Sequence, residues 1–163
     1  MHTFNLFPHM SGIWQGTYSR YNAQGTLLFT HKSKLSLRLD GMEWRQINHY
    51  TFDNGREEYH NFGMSPFNEQ GIMQYNNARI IGEAWEDTNG KNILLWWSYK
   101  DEPDTMLHEM ITPLEPGHRT RVWQHIRNNV FEGVTVIEEW KTAEQDAIPM
   151  ALYETKSWVK EAD

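Results

Sequence analysis

The 163-residue chain has no cysteine, which removes disulfides, thiolate nucleophiles and cysteine-held metals and fits a reducing compartment such as the cytoplasm. Positive charge is also scarce. Fifteen Lys and Arg against 22 Asp and Glu leave a formal net charge of -7, with no basic run. Nucleic-acid binding needs clustered cations that displace counterions from phosphates, so no nucleic-acid partner is expected. No apolar stretch approaches the roughly 20 residues that cross a bilayer, and the opening MHTFNLFPHM has neither a basic start nor an apolar h-region. Neither membrane insertion nor a secretory signal is expected. Internal repeats and low-complexity tracts are missing, as are a dinucleotide fingerprint, a nucleophile elbow and an H-E-x-x-H helix. Those absences leave no reason to expect a cofactor or a metal.

What the chain does have is aromatic surface: eight Trp, seven Tyr and seven Phe, 13% of all residues, enough for one packed domain over 1–163. Turn dipeptides punctuate it at Gln24-Gly25, Asp40-Gly41, Asn54-Gly55, Asn89-Gly90, Pro116-Gly117 and Glu132-Gly133. Between them run alternating segments rich in β-branched and aromatic residues: 26–39, 42–52, 93–100, 119–128 and 134–140. The expected fold is all-β, a single antiparallel up-and-down barrel of about nine or ten strands, since closure leaves no edge unpaired. An open sandwich is the alternative. Residues 1–11 read as an N-terminal plug or lid, 142–149 as a connection, and 151–160 as a last strand.

Two-residue turns at those dipeptides fix which side chains share a face. Centring on Asp40-Gly41 pairs Leu37 with Trp44, Ser33 with Asn48, His31 with Tyr50 and Phe29 with Phe52. Arg38, Glu43, Lys32 and His49 fall on the opposite, charged and therefore solvated face. Asn54-Gly55 then adds Asn61 and Tyr59 inside and leaves His49 opposite His60 outside, a pair that lacks a clear third ligand for a metal. Asn89-Gly90 places Gly82 opposite Trp97 and Ala84 opposite Leu95, small against large. With a turn at Asp101 to Asp104, Trp97 faces His108, Tyr99 faces Met106 and Leu95 faces Met110. Pro116-Gly117 pairs His108 with His125, and Glu132-Gly133 pairs Arg127 with Glu138 and His125 with Trp140.

The run Gly12-Ile13-Trp14, opening the first strand after a short plug, resembles the G-x-W signature of the calycin superfamily of lipocalin-like barrels. The longer run from Gly12 to Tyr21, followed by hairpin strands, resembles a mainly cyanobacterial calycin-like family of unknown function. That resemblance implies a pocket at the barrel mouth and, because phycobiliprotein lyases are relatives, a pigment or other extended apolar ligand. It also implies a basic residue packed over Trp14, for which Lys141, Lys156 and Arg127 are candidates.

The register gives His108 and His125 as proton-transfer groups, imidazole titrating near neutrality, with Arg127 and Glu138 to orient them or anchor an anion. Hydrogen-bonded core histidines and a cross-strand ion pair are the structural alternatives. His31, Asn48, Tyr50, Tyr59 and Asn61 form a polar patch for a ligand oxygen. Phe29, Trp44, Leu95, Trp97, Tyr99, Met110 and Trp140 supply apolar and stacking surface. The expected partner is a small hydrophobic or aromatic organic ligand with polar handles, and a homodimer is allowed. The functions that follow are cofactor-free isomerisation, cyclisation or elimination, a non-catalytic carrier, or a lyase-like chromophore chaperone.

Overall fold

The computed structural model describes residues 2–163. Eleven strands make one antiparallel sheet: β1 (Gly12–Tyr21), β2 (Leu27–Asp40), β3 (Glu43–Thr51), β4 (Glu57–Pro66), β5 (Met73–Asn76), β6 (Ile80–Glu86), β7 (Ile93–Tyr99), β8 (Glu102–Glu115), β9 (His118–Arg127), β10 (Val130–Ala143) and β11 (Trp158–Lys160). Their order is β11-β4-β3-β2-β1-β10-β9-β8-β7-β6-β5, an up-and-down barrel in which β1 and β10 join the two halves. Strands β4 and β5 meet only at their hairpin, through the Phe67–Met73 bridge. A seam without a ladder therefore runs from that hairpin towards the opposite end of the barrel.

The expected last strand over 151–160 is mostly not a strand. Pro149, at φ -63°, leads into a 3-10 helix over Met150–Glu154, and only Trp158–Lys160 pairs, against the start of β4. One end of the barrel is filled by α1 (Phe7–Met10) and the residues before it. The Glu86 carboxylate accepts hydrogen bonds from the backbone N–H groups of Asn5, Leu6 and Phe7 (2.9, 2.6 and 2.9 Å), donors that the short helix would otherwise leave unpaired. Phe7, Met10, Trp14, Leu37, Trp44 and Phe67 pack together there as core. The other end, where β1, β3, β5, β7 and β9 finish, stays open.

Hairpin chemistry decided which register expectations held. The Asn89-Gly90 loop gives the expected pairs, Gly82 with Trp97 and Ala84 with Leu95. At Asp40-Gly41 the turn is Gly41-Met42, with Gly41 at φ 60°, as a type II′ turn requires, so partners slide by two and faces are kept. Leu39, not Leu37, is opposite Trp44.

Elsewhere the slip is odd, and an odd slip exchanges the faces. The β3–β4 loop has three residues, Asp53-Asn54-Gly55, closed by hydrogen bonds between Phe52 and Arg56 and from Gly55 to Phe52, which puts His60 opposite Asn48 and Tyr59 opposite His49. Pro116-Gly117 does form the β8–β9 turn, but Leu114 bulges between the Pro113–Arg119 and Glu115–His118 pairs. The β7–β8 turn is Lys100-Asp101, with a wide irregularity before Leu107 pairs with Trp97. The β9–β10 turn is Asn128-Asn129, both at positive φ (49° and 62°) as type I′ demands, while Glu132-Gly133 is a bulge inside β10.

Candidate functional site

A cavity of about 220 Å³ lies between the aromatic core and the open end. Strand β3 contributes its inward face as a hydrogen-bonded series at every second residue. Trp44 Nε1 donates to Gln46 Oε1 (3.2 Å), Gln46 Nε2 to Asn48 Oδ1 (3.1 Å) and Asn48 Nδ2 to Tyr50 Oη (2.8 Å). Alternation alone aligns these side chains, because residues i and i+2 share a face. Across the cavity, Leu95 and Trp97 of β7 and Trp123 of β9 form an apolar wall, with Trp97 and Trp123 edge to face at 5.0 Å.

Beneath it lies a buried charge cluster drawn from three strands. Arg119 donates to Glu139 Oε2 (2.9 and 2.6 Å), and Arg121 donates to Glu139 Oε1 (2.6 Å) and to Glu109 Oε1 (3.0 and 2.8 Å). Arg121 also donates to Tyr18 Oη (2.9 Å), and Trp123 Nε1 to Glu109 Oε1. All four charged side chains are almost fully buried, and two positive charges match two negative ones. Among the described residues every donor to Glu109 falls on Oε1, so Oε2 retains its acceptor capacity at the cavity wall.

Protonation states follow from burial. Burial pushes the Tyr18 phenol well up despite the opposing Arg121, and pushes Tyr50 up to about 12. Tyr75 moves the same way for the same reason. Burial lowers His31, whose ring nitrogen Nδ1 lies 3.3 Å from the Lys32 carbonyl and must donate to it, leaving Nε2 as an acceptor. Burial opposes the charge on Glu139, but Arg119 and Arg121 outweigh it and hold the carboxyl below its usual range. Arg121 is likewise raised against burial by Glu109, Tyr18 and Glu139. Tyr18 accepts from Arg121 and gives its O–H to Tyr50, while Tyr50 accepts from Asn48 and keeps its own O–H to donate.

The structure puts Phe29, His31, Asn48, Tyr50, Leu95, Trp97 and Tyr99 on the cavity wall. It moves the other sequence candidates elsewhere. Trp44 points inward but is packed in the plugged end against Phe7. Tyr59 and Asn61 lie on the outer face through the three-residue loop. Tyr59 stacks on Trp158, and Asn61 Nδ2 donates to the Tyr153 and Thr155 carbonyls (2.9 and 2.8 Å). The bulge at Leu114 and the wide turn before Leu107 turn His108 and Met110 outward into solvent.

The same displacement affects the supposed proton-transfer group. Trp140 and Glu138 face outward around His118, Trp140 stacking on its ring at 4.8 Å, because the true β9–β10 turn lies at Asn128-Asn129. Arg127 is an exposed partner of Asp104 (2.9 Å) and Glu132 (3.2 Å), not of Glu138. His125 does face inward but outside this cavity, bonded through Nε2 to Thr135 Oγ1 (2.7 Å), opposite Leu107 instead of His108. His49 and His60 are not a cross-strand pair, since His60 shares the inward face with Asn48.

Residues 2–144 match the model of a domain of unknown function, DUF3598, N-terminal. The chain belongs to the DUF3598 family. A protein of unknown function from this family in Nostoc punctiforme superimposes with TM-score 0.62 at 11% identity, over 86% of this chain and 51% of that one. The DUF3598 chain described here thus spans about half the length of that relative. The S-type phycobiliprotein lyase CPES of Guillardia theta has TM-score 0.57 at 15% identity (83% and 89% covered), and Rv2717c of M. tuberculosis 0.60 at 11% (82% and 93%). These likenesses show the fold, an antiparallel β-barrel. No match was found among the curated proteins.

In this DUF3598 barrel the basic residue over the signature Trp14 is Arg119, its guanidinium 4.1 Å from the ring centre, with Lys141 Nζ at 5.5 Å. Trp14 Nε1 donates to the Met10 carbonyl (3.0 Å) and so ties the plug to β1. Arg119, Arg121, Glu109 and Glu139 escaped sequence reasoning because charge was read as a marker of the solvated face. Their one sequence signal is alternation: Arg119-x-Arg121-x-Trp123 repeats a charge-charge-aromatic pattern on one face. Tyr18, Phe62, Tyr75 and Arg79 were also missed on the cavity wall.

Proposed function

We propose that this barrel binds a small, flat, largely apolar organic molecule bearing oxygen substituents, and that it carries or presents the molecule without transforming it. The observation that carries this is Tyr50 on the wall of an aromatic cavity, fixed as an acceptor by Asn48 and by Tyr18, so that its own O–H is left to donate. Trp97 and Trp123 supply the stacking surface, and His31 Nε2 and Glu109 Oε2 the complementary acceptors.

Carriage is favoured over isomerisation, cyclisation or elimination because proton transfer works best with a group titrating near the operating pH. Here burial holds Tyr18, Tyr50 and Tyr75 protonated and His31 neutral at pH 7. The histidines first assigned to proton transfer do not share the cavity.

Fluorescence titration with 2-naphthol and naphthalene tests the proposal through quenching of Trp97 and Trp123. 2-Naphthol should bind about tenfold tighter than naphthalene, the worth of one buried hydrogen bond, and Tyr50→Phe should erase most of that difference. Failure of 2-naphthol to bind would overturn it.

A chromophore chaperone is the second reading, favoured by exposed Leu27, Leu28, Phe29, Val130 and Phe131 on the two adjacent hairpins at the mouth, a surface suited to a protein client. The cavity is smaller than the roughly 300–1,000 Å³ that encloses drug-sized ligands. An extended pigment would therefore protrude from it.

A further inference from the structure

Beside the mouth, where the seam separates β4 from β5, a second cavity of about 480 Å³ opens between His60, Asn77, Arg79 and Tyr99. Arg79 and Tyr99 border both cavities and are the shared wall between them. The Arg79 guanidinium lies 5.2 Å from the Tyr99 ring centre and donates to His60 Nδ1 (3.1 Å). A guanidinium can only donate, so Nδ1 is the accepting nitrogen and the His60 ring proton sits on Nε2.

Arg79 and Asn77 are left short of protein partners here. Among the described residues Arg79 forms no ion pair, because its hydrogen-bond partner is an imidazole and not a carboxylate. Asn77 Oδ1 accepts from the backbone N–H groups of Arg79 and Ile80, which fixes the amide, while its buried Nδ2 has no acceptor. His60 is more than nine-tenths buried, and its Nε2 faces the Glu58 carboxylate at 3.4 Å, a contact that, with the charges of Arg56 and Arg79, holds Glu58 below its usual range. Of the acids on the rim, Glu102 is drawn towards Arg127 at 3.9 Å, and Asp101 is exposed. An exposed cation held against Tyr99 and a fixed amide donor thus look onto a space that adjoins the ligand cavity, and a buried donor such as Asn77 Nδ2 is rarely left unpaired.

We infer that the seam cavity is a carboxylate subsite, in which Arg79 and Asn77 grip an acidic group carried on the end of the ligand that leaves the main cavity. The inference rests on the ligand-binding reading above and adds the substrate class: an aromatic or polycyclic acid, not a neutral compound. The planar fork of Arg79 suits two carboxylate oxygens, and its contact with the Tyr99 ring restrains it at the cavity rim.

The test compares 2-naphthoic acid with 2-naphthamide, nearly equal in shape and different in charge, by calorimetry on wild-type protein and on Arg79→Met and Arg79→Lys. Wild type should prefer the acid about tenfold. Arg79→Met should lose that preference, read as the ratio of acid to amide affinity in the same protein, and Arg79→Lys should recover part of it. Equal binding of acid and amide by wild type, or a preference that survives Arg79→Met, would overturn the subsite and leave the ligand cavity standing. If neither compound binds, both proposals fail together.

Discussion

The two ends of the barrel use the same residue types for opposite purposes. At the plugged end Arg119 is enclosed by Trp14, Glu139 and the Met10 sulfur, each of its three nitrogens donating within the protein. At the open end Arg79 rests on Tyr99 with only an imidazole as acceptor, and Asn77 Nδ2 has none. A buried cation depends on its counter-ions to stay in the core, whereas the exposed Arg79 is hydrated and free to take the proposed carboxylate. Arg121 joins the two regions, since it binds Glu139 below and Tyr18 at the cavity wall.

Breaking the plugged end should have the largest effect. Glu139→Gln leaves two buried guanidinium groups without their shared counter-ion and should cost about 3–5 kcal/mol in urea unfolding. Arg79→Met, its counterpart at the mouth, should change stability by less than about 0.5 kcal/mol in the same assay. Phe7→Ala opens a hole against Trp44 and Phe67 and should cost about 3 kcal/mol, with the melting temperature as the readout.

Acid sharpens the contrast further. Burial and the nearby Arg20 pull His125 from its usual 6.5 down to about 4. Between those values the unfolded chain binds a proton that the folded one does not, so this contribution is complete above pH 6.5 and is lost as the pH falls towards 4. His31 adds a change of the same sign. Glu139 has a lowered value, so its contribution is lost only below the ordinary 4.5 of a glutamate. Melting curves from pH 7 to 4 should show the histidine phase first, and His125→Asn should flatten it. The smallest effect should come from the outer wall: Met110→Thr should leave stability within about 0.5 kcal/mol, while its inward neighbour Leu107→Ala should cost about 2–5 kcal/mol.

The hairpins show how much of this was legible. Asn89-Gly90 gave correct pairs, and β2 and β3 kept their faces, so His31, Asn48 and Tyr50 could be placed on the wall from spacing. Asn54-Gly55 carries the same dipeptide yet closes a three-residue loop, with Gly55 at φ 87°, and that one residue moved Tyr59 and Asn61 outside. Around Asn89-Gly90 the Asp87 carboxylate accepts from the Lys91 and Asn92 N–H groups and closes a loop of even length, whereas Phe52 stands at the corresponding place before Asn54-Gly55. Likewise the turn at Pro116-Gly117 was readable, but the bulge at Leu114 was not, because a bulge answers to the packing of the whole strand pair.

By itself the sequence determined the class of fold: alternation, turn residues and aromatic content require antiparallel strands, with a barrel favoured over an open sandwich, and the run at Gly12 to Trp14 places the start of the first strand. Tertiary structure decided which charges lie inside. Arg119, Arg121, Glu109 and Glu139 come from β8, β9 and β10 and can be buried only because each finds its counter-ion across a strand. That compensation is a property of register, and register is set by loop length and bulges that a one-residue change inverts.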